Sequence, residues 1–130
     1  MKPIDPLFER FERAMDVMSR RQQLLASNVG NLDTPGYKTI DVNFNEALRS
    51  AVEEESSPSE ASTHRGAADL PDFDPREVEG LAFRPDGNNV SLDREMAEMA
   101  ATRHRYEVAA MVVRSRLRQI RAAIMDGRSS

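Results

Sequence analysis

The chain has 130 residues, the length of a single domain. Hydrophobic residues make up 39% of it, charged residues make up 31%, and there is no tryptophan. The chain therefore has little material for a core of its own, and we expect neighbouring subunits to supply part of that core. It has no cysteine, which excludes a disulfide framework, a thiolate nucleophile and a cysteine-ligated zinc site.

The net charge of −4 is distributed unevenly. Residues 1–49 carry equal numbers of acidic and basic side chains, residues 50–90 carry a net charge of −7, and residues 91–130 carry +3. This asymmetry indicates three segments with different roles. The N-terminal residues lack the apolar stretch of a cleavable signal peptide, and no apolar run approaches the roughly 20 residues of a membrane-spanning helix.

The first predicted element is a shaft helix over residues 1–32. Asp5 suits its N-cap, and Pro6 suits the first helical position. Apolar residues then recur at alternating intervals of three and four, provided that Gln22 is counted with them, which is typical of a coiled-coil seam. The apolar seam residues of this helix are Phe8, Phe11, Met15, Met18, Leu25 and Val29.

A turn and a short strand are predicted over residues 33–50, as a small outer element. Asn31 suits the end of a helix, and Pro35 prevents the helix from continuing. Pro35 and Gly36 together favour a type II turn in which the glycine has a positive φ. We therefore predict a sharp corner between helix and strand, held by polar side chains that bond the freed backbone groups.

The alternation of apolar and polar residues over 37–44 predicts a half-buried strand. Asp41 and Asn43 are expected to face outward. A short helix through Leu48 and Val52 is predicted to follow. The residues expected to face inward are Ile40, Val42 and Phe44.

Residues 51–90 are predicted to be an acidic, partly disordered linker. Serine, proline, alanine and acidic residues dominate most of this segment. Such a composition buries too little apolar surface to offset the entropy lost on ordering the chain.

The last predicted element is a second shaft helix over residues 91–127. Ser91 suits its N-cap, Asp93 and Glu95 place negative charge in its first turn, and Gly127 suits its end. Its seam repeats the spacing of the first helix, with Arg103 inside it. The apolar seam residues are Met96, Met99, Tyr106, Val113, Leu117, Ile120 and Ile124.

The fold class predicted from these elements is mainly α. Two long terminal heptad helices form a coiled-coil-like shaft, with a small β-containing element and an acidic loop between them. The pattern leaves open whether the two seams meet within one chain or between chains. It also leaves open whether Gln22 and Arg103 are local flaws in the seams or devices that fix their register.

The corner motif N-V-G-N-L-D-T-P-G-Y-K resembles a pattern near the N-terminus of flagellar rod and hook proteins. Gly30 departs from that pattern, which usually has alanine there. A second motif, D-G-N-N-V-S-L-D-R-E-M over residues 86–96, resembles the segment that opens the C-terminal helix of proximal-rod members of this family. The corner residues that match are Asn28, Asn31, Thr34, Pro35, Gly36, Tyr37 and Lys38.

The resemblance implies a structural subunit of the bacterial flagellar basal-body rod. It implies that terminal helices assemble into a helical tubular array that transmits motor torque, with no catalytic residue, cofactor or metal. The implied partners are other copies, other rod proteins including the protein at the junction of the rod base and MS-ring, and the flagellar type III export apparatus. The implied location is the rod across the periplasm, reached without a cleavable signal peptide.

Three other functions were weighed against this one. An enzyme is disfavoured because His64 and His104 have no nucleophile or carboxylate arranged around them, and Glu53–Glu55 do not converge on a metal. A stand-alone coiled-coil oligomeric adaptor explains both seams but not the corner motif. Nucleic-acid or membrane-surface binding is disfavoured by the acidic chain, although the second helix carries Arg103, Arg105, Arg114, Arg116, Arg118 and Arg121.

Overall fold

The computed structural model describes residues 6–53 and 73–128. Within these ranges the order of elements is α1 (Pro6–Gly30), β1 (Ile40–Asp41), α2 (Phe44–Glu53), β2 (Arg76–Glu77) and α3 (Leu92–Gly127). The predicted class, mainly α with two long terminal helices and a small β element between them, is confirmed. Residues 54–72 of the predicted linker lie outside the described residues.

The long helices α1 and α3 pack against each other within one chain, and α2 packs against α1. Ser91 caps α3 as predicted, because its Oγ accepts a hydrogen bond from the backbone N–H of Arg94 at 3.4 Å. Helix α3 has 36 residues and α1 has 25. The paired helices therefore differ in length by about 16 Å.

The predicted strand over residues 37–44 is wrong in its extent. Only Ile40 and Asp41 form a strand, which pairs antiparallel with β2. Asn43 ends the strand because it caps α2: its Oδ1 accepts from the Glu46 N–H at 3.4 Å, and its Nδ2 donates to the Glu46 carboxylate at 2.9 Å. Phe44 therefore opens a helix, and the short helix predicted after the strand is present.

The small hydrophobic core lies between α1, α2 and the chain that joins them. Alanine occupies several of its positions, which allows the helices to approach closely. Leu24, Leu48, Val52 and Phe73 pack around its edge. The buried members are Ala14, Val17, Met18, Val42, Phe44, Ala47 and Ala51.

The corner after α1 contains the predicted type II turn. Gly36 has a φ of 72°, and the Tyr37 N–H donates to the Thr34 carbonyl at 3.2 Å across the turn. A second glycine, Gly87, lies against it with a φ of 82°. The Gly36 N–H donates to the Asp86 carbonyl at 2.8 Å, and a Cβ added at Gly87 would stand 3.4 Å from the Gly36 Cα. Two residues with left-handed backbones therefore join two distant parts of the chain.

Gly87→Ala is expected to lower the free energy of unfolding by about 1–2 kcal/mol, because the left-handed backbone brings a Cβ close to the next carbonyl oxygen. The matched control is Gly30→Ala, at the end of α1, where an added Cβ meets nothing within 4 Å. Alanine there is expected to raise stability by about 0.5–1 kcal/mol. Urea unfolding followed by circular dichroism measures both, and equal effects of the two variants would contradict the role of Gly87.

Candidate functional site

The apolar seam predicted in α1 is partly buried. Met18 and Leu25 are buried, with exposed fractions of 6% and 0%. Phe8, Phe11, Met15 and Val29 are half-buried. Two polar residues that the seam does not include, Arg21 and Asn28, are buried on the side of α1 that faces α3 and the corner.

The apolar seam predicted in α3 is mostly uncovered by the described residues. Met99 and Val113 are half-buried. The residues that α3 buries are instead Glu95, Thr102 and Ala109, which recur every seven residues. The exposed seam residues, with exposed fractions between 39% and 59%, are Met96, Tyr106, Leu117, Ile120 and Ile124.

A buried network of charged and polar side chains, which we call the polar joint, holds α1, β1 and α3 together. Its centre is the Arg21 guanidinium, which donates to both carboxylate oxygens of Asp41, at 3.0 and 2.9 Å. Arg21 also donates to Glu98 at 2.8 Å and to the Thr102 hydroxyl at 3.3 Å. The members of the polar joint are Arg21, Asn28, Asp41, Arg94, Glu95, Glu98 and Thr102.

Asn28 occupies the part of the polar joint nearest the corner and uses all four of its hydrogen-bonding positions. Its Nδ2 donates to the Ile40 carbonyl at 2.7 Å and to the Glu95 carboxylate at 2.9 Å. Its Oδ1 accepts from the Tyr37 hydroxyl at 3.0 Å and from the Ile40 N–H at 3.2 Å. Asn28, Glu95 and Thr102 are at most 1% exposed. One side chain thus connects the end of α1, the corner and the start of α3.

The second motif folds onto the corner through Asn88 and Asn89. The Asn88 Nδ2 lies 2.9–3.0 Å from the carbonyl oxygens of Asn31, Leu32 and Thr34, in the turn that follows α1. The Asn89 Oδ1 accepts from the Thr39 N–H at 2.7 Å. The two motifs therefore form one structural unit.

The remaining corner residues differ in their contacts. The Asn31 side chain donates to the Ser27 carbonyl at 2.8 Å and accepts from the Thr34 hydroxyl at 3.1 Å. The Lys38 ammonium lies 4.2 Å from the centre of the Phe83 ring. Pro35 is exposed in the turn.

Within the polar joint, folding changes the pKa of the Asp41 carboxyl group. Burial by itself would raise the pKa of its carboxyl group. The hydrogen bonds from Arg21, from the Val42 N–H and from Arg94, with the positive charge of Arg21, outweigh burial and hold that pKa below its ordinary value. Asp41 is thus a carboxylate that folding keeps ionised, and the prediction that it faces outward is wrong.

The depressed pKa of Asp41 predicts the direction of acid unfolding. The native state favours the ionised form more than the unfolded chain does, so this stabilisation is fully present above the unfolded-state pKa of about 4. It is lost as the pH falls through the lower native-state pKa. Urea unfolding of the wild type and Asp41→Asn should therefore give a stability difference that shrinks below about pH 4. Asp33→Asn, on the exposed turn, controls for the loss of a carboxyl group. If the stability difference between the wild type and Asp41→Asn did not depend on pH, the depressed pKa of Asp41 would be contradicted.

The two residues that interrupt the predicted seams lie on the same side of the helix pair. Gln22 is half-buried, and its Oε1 is buried without a hydrogen-bond partner in the described part of the chain. Arg103 is exposed and donates to Glu107 at 3.1 Å, one turn along α3. Both line a cavity of about 350 Å³ between α1 and α3, with Tyr106. Their role as register devices stays a prediction.

Sequence reasoning missed the polar joint. Arg94 and Glu95 belong to the second motif, but Glu95 suggested only a favourable charge in the first turn of α3. The structure buries it completely, against Asn28. The usable signal was the heptad spacing of Glu95, Thr102 and Ala109, a stripe of polar and small residues beside the apolar one.

Neither a membrane-spanning helix nor a cluster of metal ligands is found among the described residues. None of the helices in residues 6–53 and 73–128 is both long and apolar enough to span a bilayer. The same ranges hold no group of three or more His, Asp and Glu side chains placed to bind a metal ion. His104 is exposed on α3, and His64 lies outside the described residues.

Known proteins resemble the chain over nearly its whole length. No protein-family model matches it. The flagellar basal body rod protein FlgB of Salmonella typhimurium is 29% identical over 128 residues, which cover 91% of this chain and 93% of that protein. The proteins of the same name from Buchnera aphidicola and Bacillus subtilis are 27% and 26% identical, again over at least 90% of both chains. The resemblance that the two motifs indicate is confirmed.

Proposed function

We propose that the chain, a homologue of flagellar basal body rod proteins, is a structural subunit of the proximal rod. In this proposal its terminal helices assemble with those of neighbouring subunits into a helical tubular array that transmits the torque of the motor. The subunit carries out no catalysis. The aligned region covers at least 90% of this chain and of relatives that carry the name of a rod protein.

The observation that carries this proposal is the uncovered apolar side of α3. The intrachain contact buries Glu95, Thr102 and Ala109, and most apolar seam residues of α3 stay exposed. Leu117 and Ile124 are 48% and 59% exposed. An exposed group of apolar side chains of this kind marks a surface that another protein covers.

The polar joint supports assembly by fixing which surface is displayed. Buried charged groups tolerate few arrangements, because any shift leaves a charge without a partner. The contacts of Arg21 with Asp41 and Glu98 therefore hold α1 and α3 in one register. Every copy then presents the same apolar stripe, which a regular array requires.

We further infer the partners and the location from the relatives' names and from the sequence. The proposed partners are other copies, the adjacent rod proteins, the protein at the junction of the rod base and MS-ring, and the flagellar type III export apparatus. The proposed location is the part of the rod that crosses the periplasm, and the proposed export route uses no cleavable signal peptide. No catalytic, cofactor or metal site is part of the proposal.

Mass spectrometry of basal bodies purified in detergent from the source cell tests the proposal. We expect the chain at a fixed ratio to the other rod proteins. Its absence from basal bodies, together with a discrete dimer or tetramer in the cytosol, would favour the stand-alone coiled-coil adaptor instead. The exposed apolar stripe of α3 favours that second candidate as well, so the location of the protein decides between them.

A further inference from the structure

We propose that the C-terminal half of α3 from one copy docks into the groove between α1 and α3 of a second copy. This inference rests on the proposed function and names the surfaces through which copies meet. Four observations carry it: an apolar groove, an acidic rim, a basic and apolar helix of matching character, and a geometry that prevents the helix from reaching its own groove.

The groove runs along one side of the paired helices. It consists of two cavities of about 350 and 280 Å³, which share Ser19 and Tyr106 as lining residues. Apolar side chains supply most of its floor, with Met15 and Val113 in one cavity and Met18 in the other. Its apolar lining suits the face of an amphipathic helix.

The rim of the groove on α1 is acidic. Glu12 and Asp16 are exposed, line the smaller cavity and lie one helical turn apart. Neither forms a salt bridge within the described part of the chain. A helix that enters this cavity with positive charge on one flank therefore gains two ion pairs without breaking existing ones.

The C-terminal half of α3 has the complementary character. Leu117, Ile120 and Ile124 form an apolar stripe at intervals of three and four residues, each between 40% and 59% exposed. Arg118 and Arg121 lie beside this stripe, are exposed, and form no salt bridge with any described residue. The stripe fits the floor of the groove and the arginines fit its acidic rim.

A chain cannot fill its own groove with this part of α3. Tyr106, which lines the groove, and Ile124 belong to one continuous helix and are separated by about 27 Å along its axis. The described part of α1 begins near the level of Gln119, as shown by the cavity that Leu7 and Phe8 line with it. The end of α3 thus projects past α1, and the copy that accepts it must be a second one.

The contact is heterologous, since the groove and the helix end are different surfaces. Each copy offers one of each, so the contact repeats from copy to copy. A heterologous contact produces a ring if its rotation closes and an open helical array if it does not. Repeated contacts of this kind are therefore a means by which an array of the proposed rod subunit elongates.

Charge reversal on each side tests the pairing. Glu12→Arg with Asp16→Arg should lower incorporation into basal bodies about tenfold or more, and so should Arg118→Glu with Arg121→Glu, because like charges then meet. Combining the two sets should restore incorporation to within about threefold of the wild type. Matched controls with the same change in charge are Glu77→Arg with Glu79→Arg, and Arg49→Glu with Arg76→Glu, all exposed and outside the shaft. Failure of the combined variant to recover would overturn the inference.

A photo-crosslink identifies the occupant of the groove. Ser19→p-benzoylphenylalanine places the reactive group between the two cavities, and cells that also express an isotope-labelled wild-type copy reveal crosslinks between copies. A crosslink to residues 114–125 of the labelled copy supports the inference. A crosslink to a different rod protein overturns it but leaves the proposed function standing. Absence of the wild-type chain from basal bodies defeats the proposed function itself.

Discussion

Arg21→Met is expected to lower the free energy of unfolding by about 3–5 kcal/mol, because it removes the shared partner of two carboxylates. Asp41 would remain buried, with Arg94 as its one remaining ion-pair partner among the described residues. Glu98 would lose its contact of 2.8 Å. Methionine fills much of the arginine volume. The lost free energy of unfolding therefore reflects the missing charge and hydrogen bonds rather than a cavity. Urea unfolding at neutral pH, followed by circular dichroism at the helix band, measures it.

Arg49→Met is the control for Arg21→Met. Arg49 pairs with Glu53 at 3.8 Å, but both side chains are at least 70% exposed. An exposed pair of this kind contributes about 0–1 kcal/mol. Similar losses in the two variants would show that the polar joint is energetically no different from a surface pair. A double variant, Arg21→Met with Asp41→Asn, should lose less than the sum of the single changes, since the two residues contact each other directly.

Leu117→Asp is expected to abolish incorporation into basal bodies and with it swimming. In the proposed assembly this side chain is covered by a neighbouring subunit, and an unpaired carboxylate buried there is costly. The isolated subunit should keep its stability to within about 1 kcal/mol, because Leu117 is 48% exposed. Swimming motility of a strain that expresses only the variant, with mass spectrometry of its basal bodies, measures the effect. Ile120→Asp should behave in the same way.

Val108→Asp is the control for Leu117→Asp. Val108 is 47% exposed on the same helix, and nine residues separate it from Leu117, which places it on the opposite side of α3. A strain that expresses only Val108→Asp should therefore swim almost normally. Normal swimming by the Leu117 variant would rule out the seam as an assembly surface. Equal loss in both variants would indicate that any charge on α3 is harmful, rather than charge on the seam.

The sequence was sufficient to predict the helices and the turn, because the signals for them are local. The spacing of apolar residues, the cap at Ser91 and the Pro35–Gly36 dipeptide each act within a few neighbouring residues. The structure confirms the cap and the left-handed Gly36. The extent of the strand was not predictable by alternation alone, since the cap formed by Asn43 competes with it.

The polar joint could not be predicted because its contacts join residues that are far apart in the chain. Arg21 and Glu98 are separated by 77 residues, and Asn28 and Glu95 by 67. On their own helices these side chains resemble any solvated polar residue. Only the packing of α1 on α3 shows that the heptad stripe of Glu95 and Thr102 is the buried one. The apolar stripe beside it was the stronger signal, but the described chain leaves most of that stripe exposed.

The anchoring of Glu53 and Phe73 near α1 has a consequence for how such subunits can vary in size. The helix that ends at Glu53 is tied to α1 by the hydrogen bond from Arg13 to the Ala51 carbonyl, at 2.8 Å. Phe73, where the described chain resumes, packs on the same core beneath Arg20. Both ends of the intervening segment are therefore fixed by the shaft itself. For a loop between two fixed ends, each doubling of the loop length costs only about 0.6 kcal/mol. A longer connection between Glu53 and Phe73 would therefore cost little free energy while α1, α3 and the corner keep their geometry, so one pair of helices could serve subunits of different mass.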